Sequence, residues 1–462
     1  MATEDQRRAP PTSTLHDLAA TAAERRVAGR AARRHAPRSG LGDWDERARG
    51  HDALAAVLAQ SASRLPEVVP LRHHRMALSP WNYYRGAATV MAADLALVPN
   101  SGLEVQLCGD AHVLNFGLWA TPERNLNFDL RDFDETLPGP FEWDVARLAA
   151  SLVVAARENE VKPSRAEAAV RAAVDAYRRR MHGYAHAHEL DIWYEGMRVE
   201  HFVKNFERAD RGQVEVYIER RKAKKTSRGA FPKLTAMAHG RPRITAQPPI
   251  RTTLTDDEQR EVVDVLLAGY RATLQEDRAA LFDRFTEADI VRQVVGVGSV
   301  GMVVYLVLFE GRSGADPLFL QCKQAGPSVY EPFVRPAAQA NHGERVVAGK
   351  RMVQSATDIF VGWASMGGRD FYIRQYRDMK LIPSTALIAP RLAQFATACG
   401  ATLARAHARS GDPLAIDAYL GTGAAFTSAM VGFAQRYADQ NDRDHAQLAQ
   451  AIVQGEVPST EE

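Results

Sequence analysis

Residues 103–117, LEVQLCGDAHVLNFG, contain the pattern on which the interpretation of this chain rests. The segment Leu103–Cys108 predicts a β-strand, and Gly109 opens a loop directly after it. This loop carries Asp110 and, five residues later, Asn115. A carboxylate and a carboxamide at the end of a strand offer oxygen atoms that can accept a proton from a hydroxyl group or bind Mg²⁺.

A second acidic segment follows at 130–144, LRDFDETLPGPFEWD. Asp132 stands 17 residues after Asn115, and Asp134 follows two residues later. Phosphoryl transfer uses such a set: one carboxylate positions the acceptor hydroxyl, while an amide oxygen and another carboxylate hold Mg²⁺ on the phosphates. Each residue alone also has a structural explanation, as a turn residue or a helix N-cap, but the joint spacing favours a site.

A glycine-rich segment lies far downstream, with the form G-x-G-x-x-G-x-V at 296–303. The residues that follow, MVVYLVLFEG, are β-branched and aromatic and show no helical periodicity. A Rossmann oxidoreductase requires a helix at this point, so that fold is disfavoured. The sequence predicts instead a loop between two antiparallel strands, either a phosphate-binding loop or a purely structural hairpin.

The next predicted strand, LFLQCK at 318–323, ends in Lys323. An ammonium group on an apolar strand needs a partner, and a phosphate together with a carboxylate would provide one. Glu344, near the start of a helix expected around 340–355, is the first candidate for that carboxylate, and Glu331 is the second. Alternatively, the lysine side chain reaches solvent.

The motif G-D-x-H-x-x-N at 109–115 resembles the catalytic loop of aminoglycoside phosphotransferases and choline kinases, usually written H-G-D-x-H-x-x-N. Cys108 stands in place of the first histidine. The segment 132–149 is similar to the D-F-D…G-P…D-L-A stretch of the same branch. The resemblance implies that Asp144 holds the catalytic-loop backbone from the following helix. It also implies the remaining roles: catalytic residues Asp110, His112, Asn115 and Asp132; metal ligands Asn115, Asp132 and Asp134; nucleotide-binding residues Gly296, Gly298, Ser299, Gly301, Lys323 and Gln375, with Glu344 or Glu331 beside the lysine.

Most of the chain also resembles a bacterial family, domain of unknown function 2252. This resemblance supports the kinase-like assignment but implies no substrate. The matching stretches are SPWNYYRGAA (79–88), CGDAHVLNFG (108–117), DFDETLPGP (132–140), VGVGSVG (295–301) and ARAHARSGD (404–412).

The order of these segments is inverted relative to a kinase, because the catalytic-loop motif precedes the glycine loop and Lys323. We therefore expect an α+β, two-lobed, protein-kinase-like fold in circularly permuted order, with a small antiparallel β-rich lobe and a large helical lobe. The helix expected at 388–409 resembles the one that normally leads into the catalytic loop. A rival catalytic loop around Asp412 is disfavoured, because no asparagine lies five residues later.

We expect four regions along the chain: a disordered or loosely packed N-terminal tail (1–45), a helical lobe with the catalytic loop and D-F-D segment (46–286), a β-rich ATP-binding lobe (287–381) and C-terminal helices that complete the helical lobe (382–462). The charge balance, 58 basic against 56 acidic residues, does not favour a nucleic-acid partner. Three dispersed cysteines favour neither disulfides nor a zinc site. No apolar run reaches the length of a membrane span, and a cytoplasmic location is expected.

The expected function is transfer of the ATP γ-phosphoryl group, with Mg²⁺, to a hydroxyl of an unidentified small-molecule acceptor. The adenine is expected near Gln375–Arg377. Two alternatives remain: a nucleotide-binding pseudokinase that acts as a regulator, and a nucleotidyl (AMP) transferase on the same fold.

Overall fold

A computed structural model describes residues 20–222, 226–238, 240–313 and 316–461. In these ranges the chain is a mixed α+β protein. Its helices are α1 (Ala22–Ala32), α2 (Ala53–Ser61), α3 (Val69–Ala77), α4 (Pro80–Gly86), α5 (Ala88–Leu95), α6 (Phe141–Glu158), α7 (Pro163–Tyr184), α8 (Glu189–Tyr194), α9 (Val199–Lys204), α10 (Arg208–Lys222), α11 (Ser227–Leu234), α12 (Asp256–Glu261), α13 (Ala268–Ala272), α14 (Glu276–Phe282), α15 (His342–Val353), α16 (Thr385–Ile388), α17 (Leu392–Ser410), α18 (Pro413–Leu420) and α19 (Ala425–Val453).

The strands form four antiparallel sheets within the described ranges. They are β1 (Glu104–Leu107), β2 (Phe116–Ala120), β3 (Leu126–Leu130), β4 (Leu137–Pro140), β5 (Met197–Arg198), β6 (Thr235–Ala238), β7 (Arg241–Ile244), β8 (Arg251–Thr253), β9 (Thr286–Gln293), β10 (Val304–Glu310), β11 (Pro317–Ala325), β12 (Gly362–Met366) and β13 (Arg369–Gln375).

The largest sheet has six strands in the order β12-β13-β11-β10-β9-β8. The glycine-rich segment connects β9 to β10, so the prediction of a loop between two antiparallel strands is confirmed. Lys323 lies near the end of β11, opposite Val304 on β10 and Tyr372 on β13. Helix α15 follows β11 in the chain and packs against β12 and β13. Loop, lysine and helix are therefore grouped at one sheet.

Both faces of this sheet are covered by the segment that precedes it. Leu266, Tyr270 and Phe282 pack on one face, where Leu320 and Cys322 of β11 point. Residues of α11 and β7 cover part of the opposite face. Period-two alternation along β11 explains this, because successive side chains point to opposite faces. Residues 227–285 therefore belong with the β-rich region, whereas the sequence assigned them to the helical lobe of 46–286.

The helical region is organised around α6, α7, α17 and α19, which pack on one another. Helix α6 is buried along nearly its whole length. Helix α17, expected at 388–409, also contacts β1. Its Ser410 Oγ accepts a hydrogen bond from Gln106 N of β1 at 3.0 Å. The last residues of α17 thus adjoin the strand that leads into the loop 109–115, the catalytic-type loop.

The N-terminal segment is ordered where the structure describes it, in contrast to the tail expected over 1–45. Residues 1–19 lie outside the described ranges, but Thr21 caps α1 in a capping box with Glu24. Arg25 on α1 forms a bidentate ion pair with Asp412, at 2.7 and 2.8 Å. Trp44 is buried in the main core. The Arg- and Ala-rich composition was interpreted as a solvated tail, but this segment forms an amphipathic helix that packs on α18.

Within the described residues, no single helix is long and apolar enough to cross a membrane. Helices α18 and α19, bent by 83° at the break between them, meet the length and composition criteria only as a pair.

The contact between α7 and α17 generates a stability prediction. A Cβ atom added at Gly400 would overlap the Ala173 carbonyl oxygen. We expect Gly400→Ala to lower the free energy of unfolding by about 1–3 kcal/mol, because the two helices must separate. Gly212→Ala is the matched control, since Gly212 lies within α10 with open space around it. That variant should gain roughly 0.5–1 kcal/mol from helix propensity. Urea denaturation of both variants measures the difference, and equal stabilities would contradict the packing described.

Candidate functional site

A cleft with a volume of about 300 Å³ lies between the six-stranded sheet and the segment after β1. It brings together residues that are distant in sequence, from the catalytic-type loop, the D-F-D segment, the glycine-rich loop and the sheet. Nine of the residues singled out from the sequence line it: Asp110, His112, Asp132, Asp134, Gly296, Gly298, Ser299, Lys323 and Gln375. Asn115, Gly301, Glu331 and Glu344 are not part of its lining.

The loop that carries Asp110 is fixed from behind by Asp144 in the first turn of α6. The Asp144 carboxylate accepts hydrogen bonds from Cys108 N at 2.7 Å and Gly109 N at 3.2 Å, and it is fully buried. Gly109 has φ +86°, and a Cβ there would overlap the Glu135 backbone, so glycine is required. The interaction expected of Asp144 is confirmed.

Helix α17 completes this arrangement through a buried histidine. His407 Nε2 lies 3.2 Å from Asp144 Oδ2, and His407 Nδ1 lies 2.8 Å from Tyr177 Oη. All three side chains are almost completely buried. The chain of contacts connects the catalytic-type loop to α6, α17 and α7, so the position of the loop depends on helices from both ends of the sequence.

Asp110 presents one oxygen to the cleft and uses the other in an ion pair. Arg147 Nε donates to Asp110 Oδ1 at 2.9 Å, while Oδ2 lies 3.7 Å from His112 Nε2. Burial raises the pKa of Asp110 above its ordinary value, and the Arg147 guanidinium opposes this shift. Arg147 is itself held by a hydrogen bond to Tyr84 O at 2.8 Å. The second carboxylate oxygen is therefore positioned to accept a proton from a bound hydroxyl group.

His112 is neutral in this environment. Burial lowers its pKa well below the ordinary value, and the cations Arg85 and Arg147 lower it further. The ring packs edge-to-face against Trp81, with centroids 5.7 Å apart. Through this contact His112 helps to hold the conformation of the loop beside Asp110.

Asn115 and Asp132 together offer unoccupied oxygen atoms. Asn115 is fully buried, its Nδ2 donates to Asp110 O, and its Oδ1 accepts no hydrogen bond from the described residues. Burial raises the pKa of Asp132, but Lys323, Arg131 and Arg374 outweigh it and hold the pKa well below its usual range. Asp132 is therefore ionised.

An amide oxygen and a carboxylate suit Mg²⁺, which binds few protein ligands and keeps several waters. The described residues contain no cluster of three or more His, Cys, Asp and Glu side chains that could hold a metal ion. Asp132 lines the cleft, and Asn115 Oδ1, although outside the lining, is a buried oxygen without a partner; both are oxygen types that suit a two-ligand Mg²⁺ site completed by phosphate oxygens.

Lys323 pairs with Asp134 and with neither of the two glutamates expected beside it. Its Nζ contacts Asp134 Oδ2, and Tyr372 Oη donates to Asp134 Oδ1 at 2.8 Å. Burial lowers the pKa of Lys323, but Asp134 and Asp132 more than reverse this, and the pKa stays above its ordinary value. Lys323 and Tyr372 engage both Asp134 oxygens, so Asp134 is the partner of the lysine in this structure.

Neither Glu344 nor Glu331 reaches the lysine. Glu344 lies in the first turn of α15, and Glu331 Oε1 accepts a hydrogen bond from Ser328 N at 3.1 Å. The buried face of α15 carries Arg345, which donates to Thr136 O at 2.6 Å and to Asp134 O at 2.7 Å. The helix thus contributes a cation that holds the D-F-D segment, and the D-F-D segment contributes the anion.

The glycine-rich loop is held by residues near the N-terminal helices. Leu65 N donates to Gly301 O at 2.8 Å, and Arg64 Nη1 donates to Val300 O at 2.5 Å. Gly301 has φ +87°, and a Cβ there would lie 2.7 Å from Arg64 Cβ. Gly301 therefore serves the turn and its packing on Arg64, and Gly296 and Gly298 line the cleft.

Several cleft residues escaped the sequence interpretation. They are mainly cationic: Arg85, Arg131, Arg374 and Lys380. Arg85 lies within the stretch SPWNYYRGAA, and Arg131 directly precedes Asp132. Only their positions beside recognised motifs could have marked these two arginines as cleft residues. Because arginines are frequent in this chain, the sequence offers no reason to single them out.

The fold and the cleft define an α+β protein with a strongly ionic site between an antiparallel sheet and a helical region. The chain belongs to the family described as "Uncharacterized protein conserved in bacteria (DUF2252)", whose model matches residues 64–451. The membership expected from the five quoted stretches is confirmed. No curated protein and no solved structure matches the chain.

Two buried acids in the first turn of α6 provide a paired test of the loop support. In Asp144→Asn, an amide can accept only one of the two backbone N–H bonds and turns an NH₂ group toward the other donor. We expect a loss of about 2–4 kcal/mol in the free energy of unfolding.

Glu142→Gln is the matched control in the same turn. Burial raises the pKa of Glu142 to about 7, although Ser101 N donates to it. Wild-type stability should therefore fall as the pH rises from about 4.5 through 7, because the folded state holds the proton more tightly. Glu142→Gln should be more stable than wild type by about 1–3 kcal/mol at pH 8, with no advantage at pH 5. Urea denaturation at both pH values would contradict the description if the two variants shifted alike.

Proposed function

We propose that this protein is an ATP- and Mg²⁺-dependent phosphotransferase that transfers the γ-phosphoryl group to a hydroxyl of a small-molecule acceptor. The observation that carries the proposal is the convergence of Asp110 and Asp132 with Lys323 and the glycine-rich loop in one cleft. Asp134 and Lys323, which meet there, are 189 residues apart. Accidental motif matches at this separation would not be expected to meet.

The order of elements around the sheet supports a kinase-like arrangement. The glycine loop lies between the first two strands of the β9–β10–β11 series, the lysine on the third, and helix α15 precedes β12. Protein kinases place a glycine-rich loop, a lysine on the third strand of the sheet and a helix in this relation. The hairpin β2–β3 separates the catalytic-type loop from the D-F-D segment. We attribute the inverted order of the two halves to circular permutation, with α17 as the helix that adjoins the catalytic-type loop.

The residues of the chain divide the chemistry between them. Backbone N–H groups around Gly296 and Gly298 and the Lys323 ammonium would hold the phosphate chain. Bound Mg²⁺, held by Asn115 and Asp132, would neutralise charge on the phosphate oxygens. The bound nucleotide would draw Lys323 from Asp134, whose second partner, Tyr372 Oη, remains in place.

Asp110 would receive the proton of the acceptor hydroxyl on its free oxygen, Oδ2. The acceptor oxygen forms a bond to the γ-phosphorus, the bond from that phosphorus to the β–γ bridging oxygen breaks, and ADP leaves. Arg147 keeps Asp110 oriented and favours its ionised form before the transfer. A positioned base contributes typically about 10²–10⁴-fold to such a rate.

Two isosteric variants separate metal binding from proton transfer. Asp132→Asn should remove most of the stabilisation that Mg-ATP confers, because it removes the ionised metal ligand. A ligand at about 100 times its Kd stabilises a protein by roughly 2.7 kcal/mol, which gives a readable melting shift. Asp110→Asn should keep this shift but reduce turnover by about 10²–10⁴-fold. Asp439→Asn, at an exposed acid on α19, is the control and should change neither quantity.

The measurements are melting curves with and without Mg-ATP, and product mass analysis after incubation with metabolite pools. Full Mg-ATP stabilisation in Asp132→Asn would contradict the metal assignment. Stabilisation without any turnover by the wild type would favour the pseudokinase alternative. A product that gains AMP in place of a phosphoryl group would favour nucleotidyl transfer.

A further inference from the structure

The cleft holds more positive charge than its carboxylates balance. Its lining includes six cationic side chains, Arg85, Arg131, Lys323, Arg374, Arg377 and Lys380, and four acids, Asp110, Asp132, Asp134 and Glu135. Two of the acids are already paired, Asp134 with Lys323 and Asp110 with Arg147 from behind the cleft. Burial lowers the pKa of Lys380 well below its ordinary value, so the excess of positive charge rests on the arginines and Lys323.

Three cleft cations, Arg377, Lys380 and Arg85, form no hydrogen bond or ion pair with the described residues, and the one beside the glycine-rich loop is Arg85. It lies at the end of α4, and no described residue forms a hydrogen bond or an ion pair with its guanidinium group. By contrast, Arg131 Nε donates to Leu114 O at 2.9 Å and Arg374 Nη2 donates to Gln321 Oε1 at 2.9 Å. Arg85 is partly buried and its buried Nε donates to no described residue, which is unfavourable unless an anion binds, so Arg85 is prepared for a ligand.

The surroundings of Arg85 identify the end of the cleft that it serves. A Cβ atom added at Gly296 would lie 3.9 Å from Arg85 Nη2, and one added at Gly298 would lie 3.2 Å from the Arg85 backbone oxygen. Arg85 is also close enough to Asp110 and Asp132 for their charges to act on it. Arg85 therefore lies beside the glycine loop and the candidate base, which is where an acceptor must approach the transferred group.

We infer that the acceptor is itself an anion, a hydroxyl compound that carries a phosphate or carboxylate group, and that Arg85 binds this group. The inference rests on the proposed phosphotransferase function and names its substrate class. The planar guanidinium fork can bind either group through two parallel hydrogen bonds. A cationic acceptor is disfavoured, because it would approach Asp110 past Arg85 with Arg131 nearby.

The test asks whether a second anion binds while the nucleotide site is full. The protein is saturated with Mg²⁺ and a non-hydrolysable ATP analogue, and inorganic phosphate is titrated while melting temperature and analogue affinity are recorded. We expect a saturable rise in melting temperature with no loss of analogue affinity. Acetate in place of phosphate tells whether a carboxylate suffices.

Three variants make the result specific. Arg85→Gln should bind the analogue within about twofold of wild type but bind phosphate at least tenfold more weakly. Arg85→Lys, which keeps the charge and loses the fork, should fall between the two and guards against a folding artefact. Arg443→Gln removes an exposed arginine on α19 and should match wild type.

The outcomes separate the inference from the function on which it rests. Competition between phosphate and the analogue, no phosphate binding to the loaded wild type, or unchanged phosphate binding in Arg85→Gln would overturn the anionic acceptor and leave the phosphotransferase intact. Failure of the wild type to bind the analogue would overturn the proposed function, and the acceptor class with it.

Discussion

The carboxylate of Asp144 is the constraint on which the rest of the site depends. It accepts the N–H groups of Cys108 and Gly109, and it contacts His407 on a helix from the far end of the sequence. A buried carboxylate must satisfy its oxygens with donors, so the loop, α6 and α17 can pack together only in this relation. Everything that Asp110 could do in the cleft follows from a loop conformation that Asp144 sets.

The second feature is the charge pairing between the sheet region and the D-F-D segment, in which the anion and the cation come from the opposite sides to those expected. The anion that pairs with Lys323 comes from the D-F-D segment, and the cation Arg345 comes from α15. Both contacts run between the sheet region and residues 134–136, so the two sides of the cleft are tied together without a ligand. In the proposed function, phosphate groups would compete with Asp134 for the lysine, and the release of this pair would accompany binding.

The sequence was most informative where local chemistry determines structure. The strand before Gly109, the loop between β9 and β10 and helix α17 follow from turn residues and hydrophobic periodicity. It was least informative about partners that only the tertiary fold brings together. Nothing local distinguishes Asp134 from Glu344 as the partner of Lys323, because the choice depends on which face α15 presents. The helix at 22–32 was missed for a related reason: its capping box is visible in the sequence, but the surface of α18 that stabilises it is not.

The order of the segments also determines when the site can exist. The catalytic-type loop is translated early, whereas His407 follows Asp144 by 263 residues. At bacterial elongation rates of about 5–20 residues per second, this interval is on the order of tens of seconds. Throughout that time the nascent chain carries Asp110 and Asp132 without the helix that secures the loop of Asp110, and for the first part of it Lys323 is also still to be made. The cleft therefore assembles only after α17 has left the exit tunnel.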